Sequence, residues 1–390
     1  MSDFSNLNSL LEEFVHHGLP GCGLQITQHG QTIYEGYFGY ADIENKIPVS
    51  ASSLFRQASM SKLPLYTVLM MLYEKGKFLL TDPLSDFFPE WKHSTKYLKN
   101  PNGYVDIVPT TRPVIISDIL SMKCGLPYCN FPGDTTNETL RAMQKRMQPL
   151  WDRGHFTLQE QIQVMADVPQ AFDPGSHWLY GFSSELAAGL IEKVCDKPID
   201  DVFQMMLFDP LEMSDTRSHY FGNTKERMVT LYGKDENGSL SPIHTVLDDK
   251  HLPRKEHECG WARLFSSVND YSKLMQILAC GGTYKGQQII GRKTIDLMRS
   301  NGLTSEQLKD FEDTYNAGYG YGYGVRTLID KQRGNHNGSL GAFGWTGGFG
   351  TWCESDPEEE VSIVYMHNMM PDEELYYHLR MRAAAYGCLD

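Results

Sequence analysis

Apolar residues recur at helical spacing near the start of the chain, where Leu7, Leu10, Leu11, Phe14 and Val15 fall on one side between Met1 and Gly18 and predict a surface helix. Two strand-like segments follow, Gly23 to Gln28 and Thr32 to Tyr40. They flank His29-Gly30-Gln31, which reads as a hairpin turn. The pattern then changes at Ser59 to Lys75, where Leu63, Tyr66, Val68, Leu69, Met70 and Leu72 leave no polar face. Gly76 supplies a helix stop, so a buried helix is predicted. From Asp82 to about Cys259, helical stretches are broken by Pro and Gly clusters, and strand signals are sparse. The predicted helices are Ser117 to Met122, Leu158 to Val168, Ser183 to Val194 and Ile199 to Leu207. Beyond Gly260 the pattern predicts a helix over Asn269 to Ala279 and a short hairpin from Gly281-Gly282 to Gly291. Strands are then predicted over Tyr323 to Leu328, Gly350 to Glu354 and Val361 to His367, before an amphipathic helix from Asp372 to Tyr386.

The sheet-forming segments thus lie at both ends. This predicts an α+β fold in which one antiparallel sheet, flanked by helices, is assembled from residues 1–82 and 260–390. Residues 83–259 would form an inserted, mostly helical domain. The low-complexity run Gly318 to Gly324 alternates Gly and Tyr. On a strand its tyrosines would share a face while its glycines let another backbone approach.

Composition narrows the class. The 390 residues are 41% hydrophobic and 22% charged, which fits a folded globular chain and excludes collagen-like, coiled-coil and disordered readings. A net charge of −14 opposes binding to nucleic acid or to an anionic membrane surface. The longest apolar run, Leu63 to Tyr73, is interrupted by Pro64 and is too short to span a bilayer. The first residues lack a cationic, continuously apolar leader, so a cytoplasmic location is expected. The cysteines, at 22, 124, 129, 195, 259, 280, 353 and 388, form no Cys-x-x-Cys pair or regular framework and are expected to be reduced. The adjacent His16-His17 suits the end of the first helix. Nothing in the pattern specifies an oligomeric state.

Several chemical signatures are missing: no Gly-x-Ser-x-Gly, His-Glu-x-x-His, phosphate-cradling Gly-x-x-x-x-Gly-Lys or dinucleotide fingerprint occurs, so neither a metal nor a cofactor is expected. Ser59-Met60-Ser61-Lys62 remains, at the start of the buried helix. Residues three apart share a helix face, so Lys62 can reach the Ser59 hydroxyl. The helix N-terminus would also favour a developing negative charge. A lysine acts as a base only once it has lost its proton, so it must be kept from water or set beside another cation. Ser61, two residues from Ser59, points to a different face. Tyr180, in Pro174-Gly175-Ser176-His177-Trp178-Leu179-Tyr180-Gly181, is the candidate second proton carrier.

Ser59 to Lys62, Leu72 to Lys77 and Thr81-Asp82-Pro83-Leu84 resemble the active-site helix region of the serine β-lactamase and penicillin-binding-protein superfamily. Within it, the chain resembles the class C-like family VIII carboxylesterases. Further matching blocks are Leu120 to Pro127, Pro174 to Tyr180, Asp209 to Met213 with Asp215-Thr216, Ser267 to Tyr271, and Trp345-Thr346-Gly347-Gly348 with Asp356-Pro357. The resemblance implies a β-lactamase/transpeptidase-like fold with Ser59 as acylated nucleophile, Lys62 as general base and Tyr180 as proton relay. Trp345, Thr346 and Gly347 would occupy the strand where relatives carry Lys-Thr-Gly, His-x-Gly or Trp-x-Gly, and the Gly348 and Ser59 N–H groups would form the oxyanion hole.

Two departures bear on the substrate. Phe182 stands at the third position of Tyr180-Gly181-Phe182, where amide-reading relatives have Asn, and Trp345 replaces a cation with an apolar surface. Loss of polar readers favours less polar acyl groups. Met122 and Lys123 fall where many relatives show His and Thr or Ser. The expected function is a serine hydrolase that cleaves short- to medium-chain carboxylic esters through an acyl-enzyme, with a small-molecule ester or acyl partner. The alternatives are an acyltransferase to a small alcohol or amine, a weak β-lactamase or D-amino-acid amidase, and a non-catalytic ligand-binding relative.

Overall fold

The computed structural model describes residues 3–128, 137–245, 248–249, 251–252 and 263–389. The first helix, α1 (Ser5–His16), buries Leu7, Leu11 and Phe14, the stripe its periodicity predicts. Strands β1 (Gly21–Gln28) and β2 (Gln31–Asp42) form the expected hairpin. Its connection is the two residues His29 and Gly30, both at positive φ (49° and 74°), the backbone that matches the twist of paired strands.

Eight strands form one antiparallel sheet. After β1, β2 and β3 (Ile47–Pro48) come β4 (Tyr319–Tyr321), β5 (Arg326–Leu328), β6 (Phe343–Gly347), β7 (Thr351–Asp356) and β8 (Val361–Met366). The spatial order is β4-β5-β6-β7-β8-β1-β2-β3. Strands from the two ends of the chain therefore meet at β8 and β1, with Leu24 opposite Tyr365 and Ile26 opposite Ile363. Alternation then sorts side chains between two cores. Leu24, Ile26, Ile363 and Tyr365 pack towards α1 and the last helix, α5 (Glu374–Gly387), whereas Val364, Met366 and Cys353 face the opposite core. That opposite core contains α2 (Lys62–Glu74), α3 (Ser183–Cys195) and α4 (Val268–Ala279). Every residue of α2 from Lys62 to Leu72 is buried, as its all-round apolar pattern requires.

Between Asp82 and Cys259 the described residues include two short hairpins. Thr95–Lys99 pairs with Val105–Pro109, and Tyr232–Lys234 pairs with Leu240–Pro242 and with Met369–Met370. The first hairpin is largely exposed, so it has no apolar alternation to announce it. A helix at Glu138–Arg153, absent from the sequence reading, buries Leu140, Met143, Met147 and Leu150; its interior Pro149 obscures the period. The segment expected as a helix over Ile199 to Leu207 is α-helical to Phe203 and continues as a π turn over Gln204–Phe208. In the Gly/Tyr run, Tyr319 to Tyr321 form the edge strand. A Cβ on Gly322 would lie 2.1 Å from the Met298 carbonyl, so the backbones do approach. Six cysteines are free thiols, and Cys129 and Cys259 lie outside the described residues. Among the described residues, no helix is long and apolar enough to cross a membrane.

Candidate active site

A 3₁₀ turn, Ala58–Ser61, leads directly into α2. Ala58 holds a left-handed backbone (φ 43°), a conformation that a residue with a Cβ adopts only when its surroundings impose it. Those surroundings are specific. The Gln57 N–H donates to the Leu264 carbonyl, the Gln57 carbonyl accepts from Thr351 Oγ1 (3.1 Å), and Tyr271 donates to the Met60 carbonyl (2.7 Å). Ser61 Oγ accepts from the Leu264 N–H (3.0 Å), so this serine is a buried brace. Ala58, Met60 and Ser61 are buried while Ser59 remains partly accessible.

Lys62 is wholly buried, and its Nζ donates to Ser59 Oγ across 3.1 Å. The same nitrogen lies over two aromatic faces, 4.8 Å from the Tyr180 ring centre and 5.5 Å from that of Tyr128. The Tyr128 phenol is pushed well above its ordinary pKa by burial, and its hydroxyl shares a 3.0 Å hydrogen bond with Ser184. Tyr128 carries no motif of its own and directly follows the Leu120 to Pro127 block.

Tyr180 owes its position to two extended segments lying side by side. The Leu179 N–H donates to Met122 (2.8 Å), the Phe182 N–H to Leu126 (2.9 Å) and the Gly175 N–H to Lys123 (2.9 Å). Met122 and Lys123 take part in this pairing through their carbonyls. Met122 is fully buried at φ 58°, and Lys123 Nζ donates to the Gly302 carbonyl (2.6 Å). Gly181 is compelled by contact, since a Cβ there would sit 1.9 Å from the Leu126 oxygen. Phe182 is 2% exposed, precedes α3 and packs edge-on against Tyr128 at 5.0 Å, so it backs the lysine cage.

Trp345, Thr346 and Gly347 end β6, and the strand comes hard against the Ser59 turn. A Cβ on Gly347 would fall 2.2 Å from the Gln57 carbonyl oxygen. Gly348 follows in an exposed position, with open space on its Cβ side. Trp345 is 6% exposed, and its Nε1 donates to the Tyr180 hydroxyl at 3.3 Å, so the surface expected to be apolar carries a polar contact. Its ring also meets Tyr321, which in turn meets Trp178 and Phe311. Thr346 Oγ1 donates to the Thr351 carbonyl (3.0 Å) and to Glu374 Oε2 (3.5 Å). Burial, reinforced by the neighbouring Asp372, pushes the Glu374 carboxyl up to about 7. Neither Glu374 nor Trp178 carries a sequence signal beyond its place in a predicted element or matching block.

A family model described as Beta-lactamase matches residues 7–386. The chain belongs to the beta-lactamase family. Membership places it among the serine hydrolases, and its relatives include Esterase EstB of Burkholderia gladioli, 23% identical over 361 residues that cover 90% of this chain and 86% of the esterase. Two solved structures share the beta-lactamase fold. EstCE1, described as a hydrolase with promiscuous acyltransferase activity, has a TM-score of 0.82 and 23% identity, covering 98% of this chain and 97% of its own. Simvastatin synthase (LovD) from Aspergillus terreus has a TM-score of 0.82 and 19% identity, covering 99% of each chain.

Proposed function

We propose that this protein hydrolyses short- to medium-chain carboxylic esters through an acyl-enzyme on Ser59. The carrying observation is the fully buried Lys62 amine, 3.1 Å from a partly accessible serine hydroxyl. In its uncharged form Lys62 takes the Ser59 proton as Oγ attacks the ester carbonyl. The Gly348 and Ser59 N–H groups hold the resulting oxyanion; removing one such donor typically slows a reaction by about 10²–10³-fold. Tyr180, accepting from Trp345, gives its own O–H proton to the departing alkoxide and takes the Ser59 proton from the Lys62 ammonium in exchange. Water then cleaves the acyl-enzyme by the same relay in reverse.

The partly accessible rings of Trp178 and Tyr180, backed by Trp345 and the buried Tyr321, favour apolar acyl groups over the charged ones read by peptide-processing relatives. The deciding experiment follows p-nitrophenyl butyrate hydrolysis by Ser59→Ala, with mass spectrometry of the native enzyme after a serine-directed phosphonate. Loss of turnover and an adduct on Ser59 support the reading; retained turnover or an adduct elsewhere defeats it. Acyl transfer is the second reading, suggested by the described activity of EstCE1. Adding a small alcohol separates the two, because a transferase forms the new ester faster than free acid.

A further inference from the structure

Away from the Ser59 turn, the C-terminal ends of α2 and α3 converge on an open groove of about 500 Å³. Met71, Leu72, Met206 and Ile289 form an apolar floor, beside Met205, whose side chain is left 53% exposed on the π turn Gln204–Phe208. Lys75, Lys77 and Lys197 stand on its rim.

Three lysines around one groove run against a net charge of −14. None of the three has an ion pair among the described residues, so their charges are not neutralised by a direct carboxylate contact. The nearby carboxylates are committed elsewhere. Glu74 accepts from the Gly291 N–H (2.9 Å) and Thr294 Oγ1 (2.6 Å), and Glu192 accepts from Gln159 (3.1 Å) and the Ile199 N–H (3.2 Å). Asp209 accepts from Gln204, and Asp196 lines an adjoining depression with Glu192, Lys193 and Lys197, so Lys197 stands between the two. All three lysines act on the half-buried Cys195 thiol, each opposing the upward push of burial, so their charges converge on one place. Cations at helix C-termini offset the helix dipole, which accounts for Lys75 and Lys197. It does not account for Lys77, beyond the Gly76 stop, or for an exposed methionine beside them.

We propose that this groove binds an alkyl carboxylate, with the chain along the methionine floor and the carboxylate among Lys75, Lys77 and Lys197. Unbranched, polarisable methionines adapt to a flexible chain, and lysines supply point charges to a compact anion. A bare anion would have no use for the apolar floor.

The test uses the full chain and decanoate below its micelle concentration, reading alkylation of Cys195 by N-ethylmaleimide beside that of Cys280, which lies outside the groove. Decanoate should protect Cys195 in a saturable way and leave Cys280 unaffected. Charge reversal in Lys75→Glu/Lys77→Glu/Lys197→Glu should weaken protection by about tenfold or more at unchanged Tm, and Met205→Asp should weaken it as well. Equal protection by decyltrimethylammonium or inorganic phosphate would overturn the proposal, as would unaltered protection in the charge-reversed variant. Adsorption to phosphatidylglycerol vesicles without protection by decanoate would assign the groove to a lipid surface and equally overturn it. The readout is independent of Ser59 chemistry, so its failure and that of the esterase reading are separable.

Discussion

The Trp345 indole donates to the Tyr180 hydroxyl across 3.3 Å, joining a strand near the C-terminus to a loop 165 residues earlier. Trp345 therefore aims a donor at the tyrosine from an apolar ring. A neutral N–H in this place gives the Tyr180 oxygen a donor without setting a cation beside it.

Trp345→Phe keeps a ring but removes that donor. A hydrogen bond of this kind contributes about 1 kcal/mol, so kcat for p-nitrophenyl butyrate should fall about five- to tenfold, with a smaller change in KM. In a Tyr180→Phe background the same substitution should cause no further loss. Equal losses in both backgrounds would mean that Trp345 does not act through Tyr180.

Lys62→Met keeps an unbranched side chain in a fully buried position and removes the amine. The acylation burst should drop by about 10³-fold or more, while Tm holds or rises because a buried polar group has gone. Stopped-flow p-nitrophenol release and calorimetry measure the two quantities separately.

Gly181→Ala would place a Cβ 1.9 Å from the Leu126 oxygen, a contact that no side-chain rotation relieves. The expected cost is about 1–3 kcal/mol of stability, together with lower kcat as Tyr180 shifts. Gly387→Ala, at the end of α5 where a Cβ meets nothing within 4 Å, serves as the control and should leave kcat unchanged and stability unchanged or slightly raised.

Glu374 titrates at about 7 in the folded chain, raised by burial and by Asp372 and Asp313, against the opposing pull of Arg326 and Thr346. An unfolded glutamate loses its proton near pH 4.3. Between those values the folded state holds a proton that the unfolded state has released, so stability falls as pH rises from about 4.3 to about 7. Glu374→Gln removes that dependence. Thermal denaturation at pH 5 and pH 8 should show the variant gaining on the wild type at the higher pH; a constant difference would contradict the assignment.

Local sequence carried much of this. The i, i+3 spacing of Ser59 and Lys62 ensured that the two side chains could meet, and the unbroken apolar pattern after them ensured that the lysine would be buried. The hairpin at His29-Gly30 and the stripe of α1 were equally visible, because each depends on neighbours within a turn or two. Exposed pairs such as Thr95–Lys99 with Val105–Pro109 escaped, since neither face needs apolar residues.

The sequence by itself determined the strongly patterned elements, the Ser59–Lys62 pair and, through ordered motifs, the family. Tertiary structure alone decided that Tyr128 and Tyr180 close over the lysine, that Trp345 bonds to the tyrosine, and that Glu374 reaches Thr346. It also decided which glycines are obligatory: Gly347 is pressed on Gln57 and Gly181 on Leu126. The reason is the register of β8 on β1 and of the 121–127 segment on the 175–182 loop. Those pairings bring together residues far apart in the chain, and no local period records the distances between them.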